Sequence, residues 1–432
     1  MSKKENLILI SIDALRSDYS RSEECMPFLS DFAKSSIRFD KAVTANGWTC
    51  PSMASIHTSS YSDKHGVKIT GHKLDRYNQK TIAEVLKEEG YSTFGFSSIE
   101  SLNKRYKFDR GFTEYYDHKY LDNFLTSAGF GRYNLLNLIR KLKLINRNKY
   151  HITNGSTINK RISKAITKVD SEPFFIWAHY FDIQLPKVQQ LEVFKRKNLN
   201  PTESEYIDFY REGVSNIDQI FKNLIDILKE KGIYDNTNII VTSDHGEHLF
   251  QRGMGLTHGV TLYDFDIMVP LIIKLVNEET HVSNKVVRTI DIFPTILDIL
   301  KFKSSDNLEG ESVLPLNELK DREALTEAVA GDRKSIRDGQ WKYIWTGTNP
   351  MFGFNFGEAR VNELYDIKID PDEKENIISK SKVQASTLNS KLAKFFPEIN
   401  TSHIESAQKQ IERMDSKTKD LLSDLGYLKK EK

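Results

Sequence analysis

The chain reads as an α/β protein, with a mostly parallel central sheet flanked by helices and a smaller C-terminal α+β subdomain. Three observations predict this. Short, near-continuously apolar runs alternate with amphipathic helical stretches, the pattern of parallel strands covered on both faces. Polar residues with chemical potential follow directly on those runs, at the carboxyl ends of strands where open α/β sheets bind ligands. Hydrophobic residues make up 39% and charged residues 28% of the 432, a balance that folds rather than remains disordered.

The elements follow in order. Residues 7–12 form a buried strand candidate that ends at Asp13. Residues 79–90 read as a helix stopped by a glycine, and 92–97 as the next strand. PFFIWAHY (173–180) is a third buried strand. Over 204–231, apolar residues recur at steps of three and four, which predicts a long helix. NIIVT (238–242) is a fourth strand, 270–275 and 286–289 are further strands, and 290–300 is a helix. These elements group 1–300 into one α/β domain. Within it, 119–167 is a basic helical insertion with apolar patches that shapes a pocket or packs as a surface helix. Residues 301–380 are richer in short strands and turns, as in a subdomain, and 381–432 are polar and helical in pattern.

Charge and cysteine content exclude several classes. Sixty-two basic residues against 60 acidic ones leave a net charge of +2, so no nucleic-acid partner is expected. Two cysteines, Cys25 and Cys50, rule out a disulfide scaffold or a cysteine-rich metal site. The first apolar run is short and ends in an acid, unlike a signal peptide. No run approaches the roughly 18 apolar residues of a membrane span. The expected location is cytoplasmic, and a homo-oligomer remains open.

Five segments carry candidate chemistry. Asp13 at the first strand end is a metal ligand or a helix cap. In NGWTCPSMASIHT (46–58), Thr49 stands two before a proline at an expected helix start, where free N–H groups favour anions. It is either a nucleophile activated by a metal or a plain N-cap. TSDHGEH (242–248) places Asp244 and His245 after an apolar strand, an oxygen and nitrogen donor pair for Zn²⁺, Mn²⁺ or a similar ion. His258 follows in LTHG (256–259), and His179 and Asp182 lie in AHYFDIQLP (178–186).

Together and in this order, these segments resemble the sulfatase family of the alkaline phosphatase superfamily. The likeness runs through ILISIDALRSDY, NGWTCPSMASIHTSSYSDKHGV, PFFIWAHYFD, NIIVTSDHGEHL and THGVTLYDFDIMVPLII to SIRDGQWKYI and ELYDIKIDPDEKEN. The resemblance implies an alkaline phosphatase-like fold and a metal-dependent ester hydrolase. It implies a divalent ion (Zn, Mn, Mg or Ca) held by Asp13, Thr49, Asp244 and His245, with Thr49 as nucleophile. His258 then serves the leaving group or the anion, and His179, Gln184 and His65 bind the substrate anion. Lys64 is a further candidate nearby, and Asp182 a partner of His258 around a second ion.

The sequence also departs from the family pattern. Sulfatases carry a cysteine in C-x-P-S-R that is oxidised to formylglycine. Here Cys50 directly precedes Pro51, Thr49 takes the place two before it, and Met53 replaces the arginine. Formylglycine is therefore not expected. A threonine nucleophile suits phosphoryl transfer, so the expected substrate is a small-molecule or glycan-linked anionic ester, first a phosphodiester, phosphomonoester or phosphonate ester. A sulfate ester, a transferase passing the group to a sugar or lipid hydroxyl, and a non-catalytic binding protein are the alternatives. Ala14 and Gln184 stand where many members have an acid and a histidine, and glutamine is neither a general acid nor a good metal ligand.

Overall fold

The computed structural model describes residues 4–75, 79–117, 152–169, 173–197, 199–253, 257–303, 308–329, 333–347 and 361–400. An eight-stranded sheet forms its centre. The strands are β1 (Asn6–Ile12), β2 (Ile37–Val43), β3 (Ser92–Ser97), β4 (Glu114–Tyr116), β5 (Phe174–Tyr180), β6 (Thr237–Ser243), β7 (Met268–Lys274) and β8 (His281–Arg288). Their order across the sheet is β4-β3-β5-β1-β6-β7-β2-β8. All neighbours are parallel except β7, which runs against both β6 and β2. The mostly parallel sheet read from the sequence is present. β2 was not legible because Arg38, Asp40 and Lys41 interrupt its apolar pattern and a register shift falls between Phe39 and Ala42.

Every residue of β1 is buried, and alternate side chains serve opposite faces, as the period of two demands. Leu7 and Leu9 join the core formed with helices α2 (Thr49–Thr58), α3 (Ile82–Glu88) and α7 (Ile292–Ile299). Ile8, Ile10 and Ile12 join the opposite core with α1 (Pro27–Lys34), α4 (Gly155–Ile166) and α6 (Glu203–Glu230). In α6, Tyr210, Val214, Ile217, Phe221, Leu224 and Leu228 make the buried stripe, and a Thr202–Glu205 capping box starts the helix. A Cβ at Gly213 would lie 2.1 Å from the Ile183 carbonyl oxygen. Glycine thus lets α6 press directly on the turn that follows β5, and α5 (Leu185–Arg196) continues from that turn.

A second, antiparallel sheet is ordered β12-β11-β10-β9, built from β9 (Ala324–Glu327), β10 (Arg333–Asp338), β11 (Trp341–Thr346) and β12 (Glu363–Asp366). Helix α8 (Lys382–Phe395) covers it through Ala385, Leu388 and Leu392. The sheet is latched to the large one near the chemistry. Gly47 N–H donates to the Glu327 carbonyl at 3.0 Å, Glu327 N–H to Ala45 at 3.0 Å, and Val329 N–H to Gly259 at 2.7 Å. Of the 119–167 insertion, residues 119–151 lie outside the described residues and α4 is its return. Residues 401–432 of the C-terminal helical segment also lie outside. Among the described residues no helix is long and apolar enough to cross a membrane.

Candidate active site

The carboxyl ends of β1, β5 and β6 converge with the start of α2. Asp13 leaves β1 with its N–H on the Tyr180 carbonyl at 2.8 Å. Ala14 then adopts a left-handed φ of 58°, uncommon for a residue with a Cβ. That turn aims the Ala14 N–H at Asp244 Oδ1, 3.0 Å away. Asp244 is fixed further by the His245 N–H at 2.9 Å. Its own carbonyl accepts from Thr44 Oγ1 and Ser52 Oγ, both at 2.6 Å. Ser52 lies on the first turn of α2, so this bond ties the helix start to the end of β6.

Thr49 opens α2 and meets the cluster directly. Its Oγ1 lies 3.3 Å from Asp13 Oδ2 and 3.2 Å from His245 Nε2. His245 Nδ1 lies 2.7 Å from the Gly246 carbonyl. A carbonyl only accepts, so Nδ1 carries a proton, and Nε2 faces Thr49 and Asp244 Oδ2 at 3.4 Å. His179 ends β5 with Nδ1 2.9 Å from Ser11 Oγ, which also accepts from Trp177 Nε1 at 3.0 Å. The His179 Nε2 points to Asp13 Oδ2 at 3.6 Å.

This set fits a divalent cation. Asp13, His179 and Asp244 each offer a ligand atom within 4.8 Å of the others, and all three are buried. Asp244 Oδ2 and His179 Nε2 are buried without a hydrogen-bond partner, which is costly unless something else meets them. Burial, then the Asp244 charge, hold the Asp13 carboxyl well above its ordinary range, with His245 and Lys187 pulling the other way. Burial works on Asp244 in the same sense, but His245 first, and the Ala14 and His245 backbone N–H groups, hold it lower. Burial pushes the His179 imidazole down to about 4, so it is neutral and able to ligate. His179, expected at the anion, thus sits among the prospective metal ligands beside Asp13, Asp244 and His245.

His258 stacks on His245 with ring centroids 4.3 Å apart and lies 5.2 Å from the Trp48 ring. Two glycines permit this approach. A Cβ at Gly259, whose φ is +74°, would lie 2.5 Å from Trp48, and one at Gly47 would lie 3.1 Å from Gly259 Cα. His258 Nδ1 is 3.3 Å from Glu247 Oε1. Gln184 Nε2 donates to Glu247 Oε2, and Lys187 Nζ stands 3.8 Å from that same oxygen. Burial raises the Glu247 carboxyl, but Lys187, His258 and Gln184 together bring it down to about 2. Glu247 and Lys187 were missed from the sequence. The signal was there, since Glu247 directly follows Asp244-His245-Gly246 and a buried acid beside a histidine invites a role.

Three expectations are corrected by geometry. His65 does not face the cluster, because Nε2 is 3.0 Å from Ser55 Oγ and Nδ1 accepts the Val67 N–H at 3.1 Å. Burial lowers its imidazole to about 3, so it is a neutral clamp between α2 and the following turn. Lys64 pairs with Glu309 at 3.0 Å. Asp182 does not meet His258, since both its oxygens take the Gly155 N–H, at 2.9 and 3.0 Å, at the start of α4. Cys50 is buried and turned from the cluster, with Sγ 3.5 Å from Thr70 Oγ1 and 3.4 Å from the Ser101 carbonyl. Burial pushes its thiol up to about 11.

Comparison with known proteins places this geometry. Residues 5–302 match the sulfatase family, and residues 255–400 match the C-terminal region of N-sulphoglucosamine sulphohydrolase. The chain is 29% identical to bovine (Bos taurus) arylsulfatase K over 212 residues, which is 45% of this chain and 37% of that protein. It is 24% identical over 398 residues to an ulvan-active sulfatase of Formosa agariphila, covering 84% of this chain and 72% of that one. The match to arylsulfatase K thus spans well under half of that relative. Among solved structures, the phosphonate monoester hydrolase of Agrobacterium radiobacter superposes with a TM-score of 0.68 at 17% identity, over 92% of this chain and 96% of that one. A protein solved with its substrate D-glucosamine-2-N,6-O-disulfate gives 0.68 at 17% identity, over 93% and 99%. With the family match running from the first strand through the last helix of the large domain, the chain belongs to the sulfatase family.

Proposed function

We propose that the chain is a metal-dependent hydrolase of sulfate esters, with a sulfated sugar as the substrate class. The carrying observation is the Thr49 hydroxyl, set between Asp13 and His245 at the start of α2 in a sulfatase-family chain. From the sequence alone phosphoesters came first. The kinship favours sulfate esters instead, since the curated relatives are sulfatases and one structural neighbour holds a disulfated glucosamine.

Asp13, His179 and Asp244, with His245 beside them, would hold a divalent ion. When bound, a divalent ion supplies the positive charge that makes the Thr49 hydroxyl acidic and polarises a nonbridging ester oxygen. Zn²⁺, Mn²⁺, Mg²⁺ and Ca²⁺ all suit mixed oxygen and imidazole donors to some degree. The Thr49 hydroxyl would lose its proton to solvent once the ion is bound; its oxygen then attacks the sulfur, the bond to the sugar oxygen breaks, and His258 gives that oxygen a proton, which the water of the next step replaces. Water then cleaves the threonine ester, releasing inorganic sulfate. The free N–H groups at the start of α2 add donors to the same anion.

A second reading keeps the same site for a phosphate or phosphonate ester. Thr49 itself favours it: the cysteine is turned away, and a plain hydroxyl suits phosphoryl transfer. One panel separates the two. Aryl sulfate, aryl phosphate, phosphodiester and phosphonate ester are assayed with each of the four ions, for wild type and Thr49→Ala. The expected result is preferred turnover of sulfate, lost by about 1,000-fold or more in the variant with an unchanged melting temperature. Unchanged activity in Thr49→Ala would remove the role given to Thr49.

A further inference from the structure

We propose that Lys187 is the anion-binding cation of this site, gripping a nonbridging oxygen of the ester, with Glu247 as the residue that positions it. The proposal rests on the hydrolase reading above and adds a residue to it. In the family pattern an arginine follows the nucleophile segment, and this chain has the fully buried Met53 there. The first turn of α2 therefore carries no cationic side chain for an ester anion to meet. Lys187 is placed to supply one. It sits in the first turn of α5, three residues after Gln184 and eight after His179 at the end of β5.

The anchoring is specific. Glu247 is 1% exposed, and an ionised carboxylate at that depth is held only by partners. It has three: the Gln184 amide, His258 at 3.3 Å and Lys187 at 3.8 Å. The Lys187 side chain is 21% exposed, so the ammonium stands where buried wall meets solvent. At 3.8 Å the contact with Glu247 is an ion pair and not a hydrogen bond, and Lys187 makes no side-chain hydrogen bond among the described residues. Its three donors are thus available to a ligand while its charge is held in place. That charge also reaches Asp13 across the site. Through Glu247, the groups expected to meet the two ends of the scissile bond are mechanically joined: Lys187 at the anion and His258 at the leaving oxygen.

The test uses the metal-loaded chain and two probes, inorganic sulfate and inorganic phosphate. Their affinities are measured by calorimetry and, on an aryl ester, as inhibition constants. Lys187→Met is expected to weaken both anions about 10- to 100-fold, the worth of a hydrogen bond from a charged donor. KM should rise more than kcat falls, and bound metal per chain should stay unchanged. Lys187→Arg should restore anion affinity to within a few-fold. Unchanged anion affinity in Lys187→Met, or parallel loss of metal, overturns the proposal, as does failure of the wild type to bind either anion. Calorimetry needs no turnover, so an inactive wild type that still binds sulfate through Lys187 would sink the hydrolase reading and spare this one.

Discussion

Two buried charge clusters in this molecule are built on opposite principles. At the ends of β1, β5 and β6, Asp13 and Asp244 face histidines at 3.6 and 3.4 Å, and two polar atoms of the group have no hydrogen-bond partner. Where the small sheet meets the large domain, Asp264 is clasped by Arg337 and by Lys342 at 2.8 Å, and Lys342 also reaches Glu373 at 2.6 Å. Burial raises the Asp264 carboxyl, but the two cations hold it well below its ordinary range. The second cluster carries its own cations, Arg337 and Lys342, although Arg337 Nε and Glu373 Oε1 also lack a hydrogen-bond partner. The first gathers acids and imidazoles, with no Lys or Arg ion pair to Asp13 or Asp244 among the described residues. A protein tolerates such a centre when an ion completes it.

The sharpest way to break this contrast is to remove a cation from the self-sufficient cluster. Lys342→Met leaves the buried Glu373 and the partly buried Asp264 with one partner fewer and should cost about 3–5 kcal/mol of stability, read by denaturant unfolding. Added divalent metal should not restore it. A loss below about 1 kcal/mol would show that the cluster is not a structural clasp.

A second self-paired acid sharpens the contrast through pH. Glu327 is buried against Lys334 at 2.8 Å. Burial raises its carboxyl, but Lys334 and Lys68 bring it down to about 2, against an ordinary value of 4.5. A group whose folded pKa is depressed stabilises fully above its unfolded value and loses that contribution as pH falls through the folded one. The pair should therefore contribute up to about 3 kcal/mol above pH 4.5, fading as pH drops toward 2. The stability gap between wild type and Lys334→Met should narrow across that window. A gap independent of pH would assign the cost of the variant to lost packing, including the Lys334 ammonium 4.1 Å from the Phe396 ring.

Much of this architecture was legible because parallel strands announce themselves. β1, β3, β5 and β6 are near-continuous apolar runs, and their ends carry Asp13, His179, Asp244 and His245. Thr49 and His258 were legible only through the company of the other segments. What could not be read is what three-dimensional partnership decides. His65 and Asp182 look like site residues in sequence, yet each uses its polar atoms on a local backbone or hydroxyl neighbour. Glu247 and Lys187 look like ordinary charges, yet folding brings α5 against the loop after β6 and makes them part of the wall. β2 escaped notice because its polar residues and bulge hide the strand period.

The central claim is that a divalent ion completes the Asp13, Asp244 and imidazole cluster beside Thr49. Its most direct test is calorimetric titration of Zn²⁺, Mn²⁺, Mg²⁺ and Ca²⁺ into metal-free chain, paired with thermal unfolding, for wild type and Asp244→Asn. One of these ions should bind the wild type and stabilise it by about 2.7 kcal/mol at a free concentration 100 times Kd, and Asp244→Asn should abolish both effects. Absence of binding by the wild type, or equal binding by Asp244→Asn, would contradict the account.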